Sequence, residues 1–385
     1  MIVKYKKNEV GLYIHFPFCI HKCSYCDFYS IGIGKKTINQ KDLFNSYKEE
    51  LTQRIKFEKE LEDLEYKTIF IGGGTPSMAN LDLVEDLILF IKKNLPISKD
   101  FEFTMEANPE DINSNFLKTI QELGVNRLNV GVQSFQKAHL QTLDRFHDIE
   151  KYENVLYLLS NSGLEKIGID LIYGIPNQTE DDFFYDLNKA LDYNLKHISL
   201  YSLTVEKGTD YYRKIEKNTA NPPEEELQIK LLKQIPNYLR KFNFNHYEVS
   251  NFAKDSHFSN HNLIYWKFQN YLSIGPSAHG FSLKGRYANS RSLDEYLNKK
   301  YSFIYEKPIL PDELGICLFR IFAPIDISSY EEILEDKYDY LLNLIKFWKS
   351  KNFCNFEDNI FEWNIDSIQY LDDRIYEVAC ISTLQ

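Results

Sequence analysis

The chain has 385 residues, 43% hydrophobic and 15% aromatic, enough for a large buried core and too apolar for wholesale disorder. Its net charge of −11 argues against a protein that grips nucleic-acid phosphates through a basic face, and no nucleic-acid partner is expected. No apolar run is long enough for a signal peptide or a membrane span, so a cytoplasmic protein is expected.

From Leu12 to about Tyr247 short β-rich runs alternate with longer amphipathic ones. The strands are read at "LYIHF", "KTIFIGG", "FEFTMEA", "RLNVGVQS", "EKIGIDLIYG" and "HISLYSLTV". Helices are read at "LFNSYKEELTQRIKFEKEL", "LDLVEDLILFIKKNL" and "EDDFFYDLNKALDYN". Serial strand–helix repeats predict an α/β fold with a parallel sheet and right-handed crossovers, either open and doubly wound or a partial barrel. Parallel sheets carry their chemistry at the C-terminal strand ends. Polar groups gather there: Gly72 to Thr75 after the second strand, Glu106 on the third, Gln133 and Ser134 on the fourth, with Asp170 inside the fifth.

After "HYEVSNFA" the pattern changes, and residues 252–290, rich in Gly, Ser, His and Asn, read as functional loops and a short hairpin. From about residue 308 come helices and a hairpin, "FCNFEDNIFEW". The expected division is a core domain over 1–305 and a small helical or winged-helix-like domain over 306–385. Cys317, Cys354 and Cys380 are isolated in apolar surroundings and read as buried thiols.

The remaining cysteines lie in "GLYIHFPFCIHKCSYCDFYS", where Cys19, Cys23 and Cys26 follow the first strand. Three clustered thiols cannot pair off as disulfides. Zinc closes four ligands and would need His15 or His21 as well. A cubane iron–sulfur cluster takes one thiolate per iron, so three thiolates leave one iron open to a small molecule, and the count favours the cluster.

This CxxxCxxC loop, with Tyr25 before its third cysteine, resembles the signature of the radical S-adenosylmethionine superfamily. The resemblance implies a [4Fe–4S] cluster on Cys19, Cys23 and Cys26, S-adenosylmethionine on the open iron, and a partial parallel (β/α)6 barrel. "LGVNRLNVGVQSF", "IGIDLIYGIPNQT" and "HISLYSLTVEKGT" are similar to blocks of the coproporphyrinogen-oxidase-like branch. That pattern implies S-adenosylmethionine contacts from Tyr13, Tyr25, Gly73, Gly74, Thr75, Glu106, Gln133, Arg145 and Asp170.

Within the branch, oxygen-independent coproporphyrinogen III dehydrogenases carry a fourth cysteine two residues after the third. Phe28 stands there, and a phenyl ring cannot do thiol chemistry, which disfavours that activity. The wording CDF is similar to the branch's haem-chaperone group, and His261–Trp266 matches that group's HNxxYW motif. The resemblance implies haem as cargo, held by His261, Asn262, Tyr265 and Trp266, and acceptor haemoproteins, among them membrane respiratory enzymes, as partners. It implies a chaperone without coproporphyrinogen dehydrogenase activity, and so names no catalytic residue. His261 offers an imidazole for the iron, and Tyr265 and Trp266 offer flat apolar faces.

Overall fold

The structure, a computed structural model, describes residues 2–34, 39–59, 64–145, 148–193, 195–282, 284–310, 312–364, 367 and 370–379. Six strands run in parallel in sequence order: β1 (Glu9–Phe16), β2 (Glu65–Gly73), β3 (Ile97–Ala107), β4 (Arg127–Gln133), β5 (Lys166–Tyr173) and β6 (His197–Ser202). Helices α1 (Lys41–Phe57), α2 (Leu81–Asn94), α3 (Ser114–Glu122), α4 (Ile149–Ser160) and α5 (Glu180–Leu191) make the crossovers. Local signals set their starts. Asn80 accepts from the backbone N–H of Asp82 at the head of α2, and Thr179 with Asp182 forms a capping box on α5.

The two faces of the sheet differ in composition, and this difference creates the site. Leu12, Ile14, Ile69, Phe103, Leu128 and Ile169 point outward and join Tyr47 of α1, Leu87 of α2 and Phe183 of α5 in one apolar core. Their alternate neighbours, including Tyr13, Thr68, Glu106, Asn129, Asp170 and Ser199, point inward and take no part in that core. A parallel sheet covered on both faces would read as continuous apolar runs. Strict alternation instead marks a sheet curled around a polar interior, the partial barrel expected.

Residues 252–290 contain the short hairpin expected, and part of the stretch read as loops is regular structure. They form α7 (Asn260–Trp266), then β9 (Tyr271–Ile274), which pairs parallel with β1, and the hairpin β10 (His279–Ser282) and β11 (Gly285–Ala288). At the other edge α6 (Glu225–Arg240) precedes β7 (Asn245–Glu248) and β8 (Asn251–Ala253), the latter antiparallel to β6. Among the described residues the sheet therefore has eleven strands. Four-residue strands bounded by Gly, Ser and Asn are too short to show a period.

Beyond residue 305, α8 (Asp312–Leu318), α9 (Tyr338–Ser350) and α10 (Leu371–Ala379) pack with a small antiparallel sheet of Ile325–Asp326, Ile360–Trp363 and Cys354–Glu357. The hairpin turns on Asp358 and Asn359 at φ 50° and 64°, the left-handed pair that a tight hairpin needs. Trp348, Phe319 and Phe361 centre this second core, which also takes in Val3, Tyr247 and Phe268. Cys354 is buried and Cys317 half-buried, whereas Cys380 lies outside the described residues.

Candidate functional site

The cysteine loop is anchored by backbone bonds on both sides. Phe18–Cys19 pairs with Ile31–Gly32, Ile33 N–H donates to Cys19 O (2.9 Å), and Cys26 N–H turns back to Cys23 O (3.2 Å). Tyr211 N–H donates to Ser24 O (2.8 Å) from the strand-six side. Cys19, Cys23 and Cys26 stay partly exposed, and burial pushes their thiols up, Cys26 to about 11. Iron displaces such protons, and three soft thiolates on one loop suit an iron–sulfur cluster.

Neither histidine considered for zinc is free to join them. His15 Nε2 lies 2.8 Å from Tyr29 O, an acceptor, so it carries the proton; Nδ1 then accepts from Tyr13 OH at 3.0 Å. Burial pushes this imidazole down to about 4, which keeps it neutral. His21 points to Asp144, with Nε2 3.5 Å from the carboxylate. Among the described residues, no group of three or more His, Cys, Asp or Glu side chains closes around a single metal ion.

The glycines at the end of β2 serve the loop as much as any ligand. A Cβ on Gly74 would sit 2.5 Å from Phe18 O, and one on Gly73, at φ 110°, 2.6 Å from the His15 ring. Gly74 N–H donates to Phe16 O (2.6 Å) and Thr75 N–H to Phe18 O (2.8 Å), seaming the two segments together.

Beside this seam the inward residues of β3 to β5 converge. Glu106 accepts from Gly73 N–H (3.1 Å), and burial together with Asp170 raises it to about 7. Burial raises Asp170 to about 6, against the pull of Ser199 and Arg145, and its Oδ1 has no hydrogen-bond partner among the described residues. Two repelling carboxyls with an orphaned oxygen fit a ligand that brings an ammonium or hydroxyl groups, as S-adenosylmethionine does. Gln133 holds φ 70° at a register shift that ends β4, a bulge that re-aims its side chain. Arg145 leaves its helix–loop position to donate to Gly131 O (2.9 Å) and Asn108 Oδ1 (3.0 Å), and it reaches Tyr25 OH at 3.5 Å. Tyr25 packs beside Leu143, Ile172 and Leu203.

Two residues outside the sequence-based set belong here. Asn108 joins Arg145 to Thr75, donating to Thr75 Oγ1 at 3.4 Å; "NPED" after a strand was the available signal. His15 joins Tyr13 to the cysteine loop. Ser134, by contrast, donates to Asp186 of α5 (2.6 Å) and serves the scaffold.

The His261–Trp266 block forms α7 and closes the floor of the same barrel. His261 is fully buried, with Nδ1 2.6 Å from Thr68 Oγ1 and Nε2 2.6 Å from Tyr265 OH, and it stacks on Phe70 at 5.0 Å. Burial lowers it to about 3. Both ring nitrogens are therefore engaged, and no edge is open to a haem iron in this conformation. Tyr265 packs edge-on to His261 and Tyr271. Asn262 and Trp266 are half-buried, and the Arg320 guanidinium lies 5.7 Å from the Trp266 ring. Tyr13, 6.4 Å from the His261 ring and bonded to His15, separates this floor from the cysteine loop above.

Comparison with known proteins accords with this geometry. Residues 13–190 match the Radical SAM superfamily. A protein named heme chaperone HemW from Buchnera aphidicola (subsp. Schizaphis graminum) is 34% identical over 378 residues, spanning 91% of this chain and 98% of that protein. The chain belongs to the HemW family of radical SAM proteins. The Escherichia coli protein of that family is 34% identical over 71% of each chain. A mouse relative, radical S-adenosyl methionine domain-containing protein 1, mitochondrial, is 33% identical over 71% of this chain and 61% of its own. The coproporphyrinogen III oxidase HemN of E. coli superposes with a TM-score of 0.76 at 20% identity, covering 99% of this chain and 92% of that one, which shows a shared fold. Family membership implies the [4Fe–4S] cluster and S-adenosylmethionine. No helix among the described residues is long and apolar enough to cross a membrane.

The paired carboxyls make a measurable prediction. Glu106 has its folded pKa above the unfolded 4.5, so its stabilising contribution is present below 4.5 and is lost as pH rises through about 7. Glu106→Gln removes the ionising group while keeping an acceptor for Gly73 N–H. The cofactor-free variant should gain about 3 kcal/mol over the native protein at pH 8 relative to pH 4, while binding S-adenosylmethionine more weakly. Thermal melts at both pH values check this; a stability difference that does not change with pH contradicts it.

Proposed function

We propose that this protein is a haem chaperone: it holds a [4Fe–4S] cluster on Cys19, Cys23 and Cys26, binds S-adenosylmethionine and haem, and delivers haem to acceptor haemoproteins in the cytoplasm or at the membrane, respiratory enzymes among them. The observation that carries the reading is the near full-length likeness to proteins named heme chaperones. Phe28 agrees with it. The side chain is 69% exposed beside the cluster loop and has no group with which to relay hydrogen or electrons as a fourth cysteine would.

In this reading the cluster, when bound, supplies an open iron that S-adenosylmethionine chelates. Gly73, Gly74 and Thr75 shape the approach, Glu106 and Asp170 receive the cofactor's ammonium or ribose hydroxyls, and Gln133, Arg145 and Tyr25 fix the opposite wall. Tyr13, through His15, ties that wall to the loop. Haem is assigned to α7, where Tyr265 and Trp266 supply apolar faces beside Asn262, and His261 supplies the iron ligand once Thr68 and Tyr265 release it.

Anaerobic titration of the reconstituted protein with haem, followed in the visible spectrum, tests the reading. Stoichiometric binding is expected, weakened and spectrally altered in His261→Ala. Tyr265→Phe, which removes the Nε2 partner, should tighten binding by roughly the net worth of one hydrogen bond, about 1 kcal/mol. A native protein that takes up no stoichiometric haem sinks the proposal.

A further inference from the structure

Helix α7 has a second face. His261 and Tyr265 turn into the barrel, whereas Asn260, Leu263, Ile264 and Lys267, spaced i, i+3, i+4 and i+7, line a cavity of about 330 Å³ on the other side. Ile2 and Val3 supply further apolar wall, and Thr68, the partner of His261, reaches the cavity from β2. The pocket is thus separate from the cofactor cleft yet shares α7 and Thr68 with the haem block.

Four lysines meet there in an acidic chain. Three are matched: Lys4 with Asp326 (3.2 Å), Lys6 with Glu9 (2.8 Å) and Lys67 with Glu65 (2.8 Å). Lys267 is not, and the exposed carboxylate of Asp100, also on the lining, makes no ion pair with it. Among the described residues no carboxylate or hydrogen-bond acceptor is within bonding distance of its ammonium; Glu9 and Lys6 act on it only through space, with opposite signs. Burial lowers Lys267 to about 8. Lys267 is half-buried, and a partly desolvated cation without an anion costs stability that an apolar side chain of similar volume would not. A group that costs stability and joins no internal network is explained by a ligand that completes it.

We propose that this cavity binds a carboxylate carried on an apolar stem, with Lys267 as its counter-ion. The shared chemistry is that of a free alkanoate and of a haem propionate. Leu263, Ile264 and Val3 receive the stem, and the ammonium pairs with the carboxylate in a partly desolvated setting where such a bond is strong.

Calorimetric titration with octanoate and with inorganic phosphate, and absorbance titration with haem and haem dimethyl ester, separate the sources in native protein and in Lys267→Met. Octanoate binding that falls at least about ten-fold in Lys267→Met identifies a free-acid site. A native preference for haem over its ester that vanishes in Lys267→Met identifies a propionate site. Either result supports the proposal, and the octanoate arm stands even if haem does not bind at all. The unliganded Lys267→Met protein should also melt above the native one. Phosphate binding as well as octanoate, no dependence on Lys267 in either arm, or a lower melting point in Lys267→Met overturns it. Should Lys267→Met misfold, Lys267→Gln, which keeps a polar tip, serves in its place.

Discussion

Replacing Cys26 with serine should leave a folded protein that retains almost no iron or sulfide after anaerobic reconstitution. The fold does not need the cluster to shape its loop. Ile31 N–H donates to Pro17 O (2.7 Å) and Gly34 N–H to Ile20 O (2.9 Å). On the far side Arg291 donates to Asp27 O (2.9 Å), and Leu293 N–H donates to Tyr29 OH (2.8 Å). These bonds involve no thiol, so the loop arrives preformed. Serine fills nearly the same volume but offers a hard, weakly acidic alcohol in place of a soft thiolate, and a trio reduced to two cannot hold three irons. The expected stability change of the metal-free variant is within about 1 kcal/mol, the scale of a substitution outside the core. Iron and sulfide counts with far-UV circular dichroism check both halves. A serine variant that keeps its cluster removes Cys26 from the ligand set, and zinc without sulfide in the native protein removes the cluster altogether.

The parts of this arrangement that could be read from the sequence are those that repeat locally. Six parallel strands were legible because each is a β-rich run followed by an amphipathic helix. The polar interior is also present, as alternation within "LYIHF" and "KIGIDLIY". The cysteine loop was legible because its spacing is dense. What stayed hidden are contacts between distant residues. Arg145 meets Tyr25 across 120 positions and His261 meets Thr68 across 193, and no local pattern encodes either. Gln133 at positive φ was hidden for another reason: the bulge that sets it is a property of the β4–β5 register, not of glutamine. The strand Tyr271–Ile274 is held by its parallel partner β1, so its existence depends on a neighbour about 260 residues away.

The same long-range logic makes Glu102 a costly charge to remove. Its carboxylate is 1% exposed and faces Arg127 Nε (3.2 Å), Lys166 Nζ (3.1 Å) and the backbone N–H of His261 (3.3 Å). Burial opposes its ionisation, but Arg127 and Lys166 outweigh burial and hold its pKa below the ordinary value. Arg127 is fully buried and donates to His257 O (2.6 Å) and Phe258 O (2.5 Å), so the pair clamps the chain entering α7 against the barrel. Glu102→Leu keeps the volume and strands the Arg127 guanidinium without an anion, a loss of about 3–5 kcal/mol in denaturant unfolding. Glu102→Leu combined with Arg127→Met should recover most of that, because an apolar pair has nothing left to solvate. Since Glu102 is depressed, its contribution is present above the unfolded value of 4.5 and is lost as pH falls through the lower folded one; the difference between native and Glu102→Leu should therefore shrink in acid. Amide exchange over residues 257–267 should quicken in the single variant and slow again in the double. A single variant that loses less than about 1 kcal/mol, or a double as unstable as the sum of the singles, shows that the clamp does not hold α7 in place.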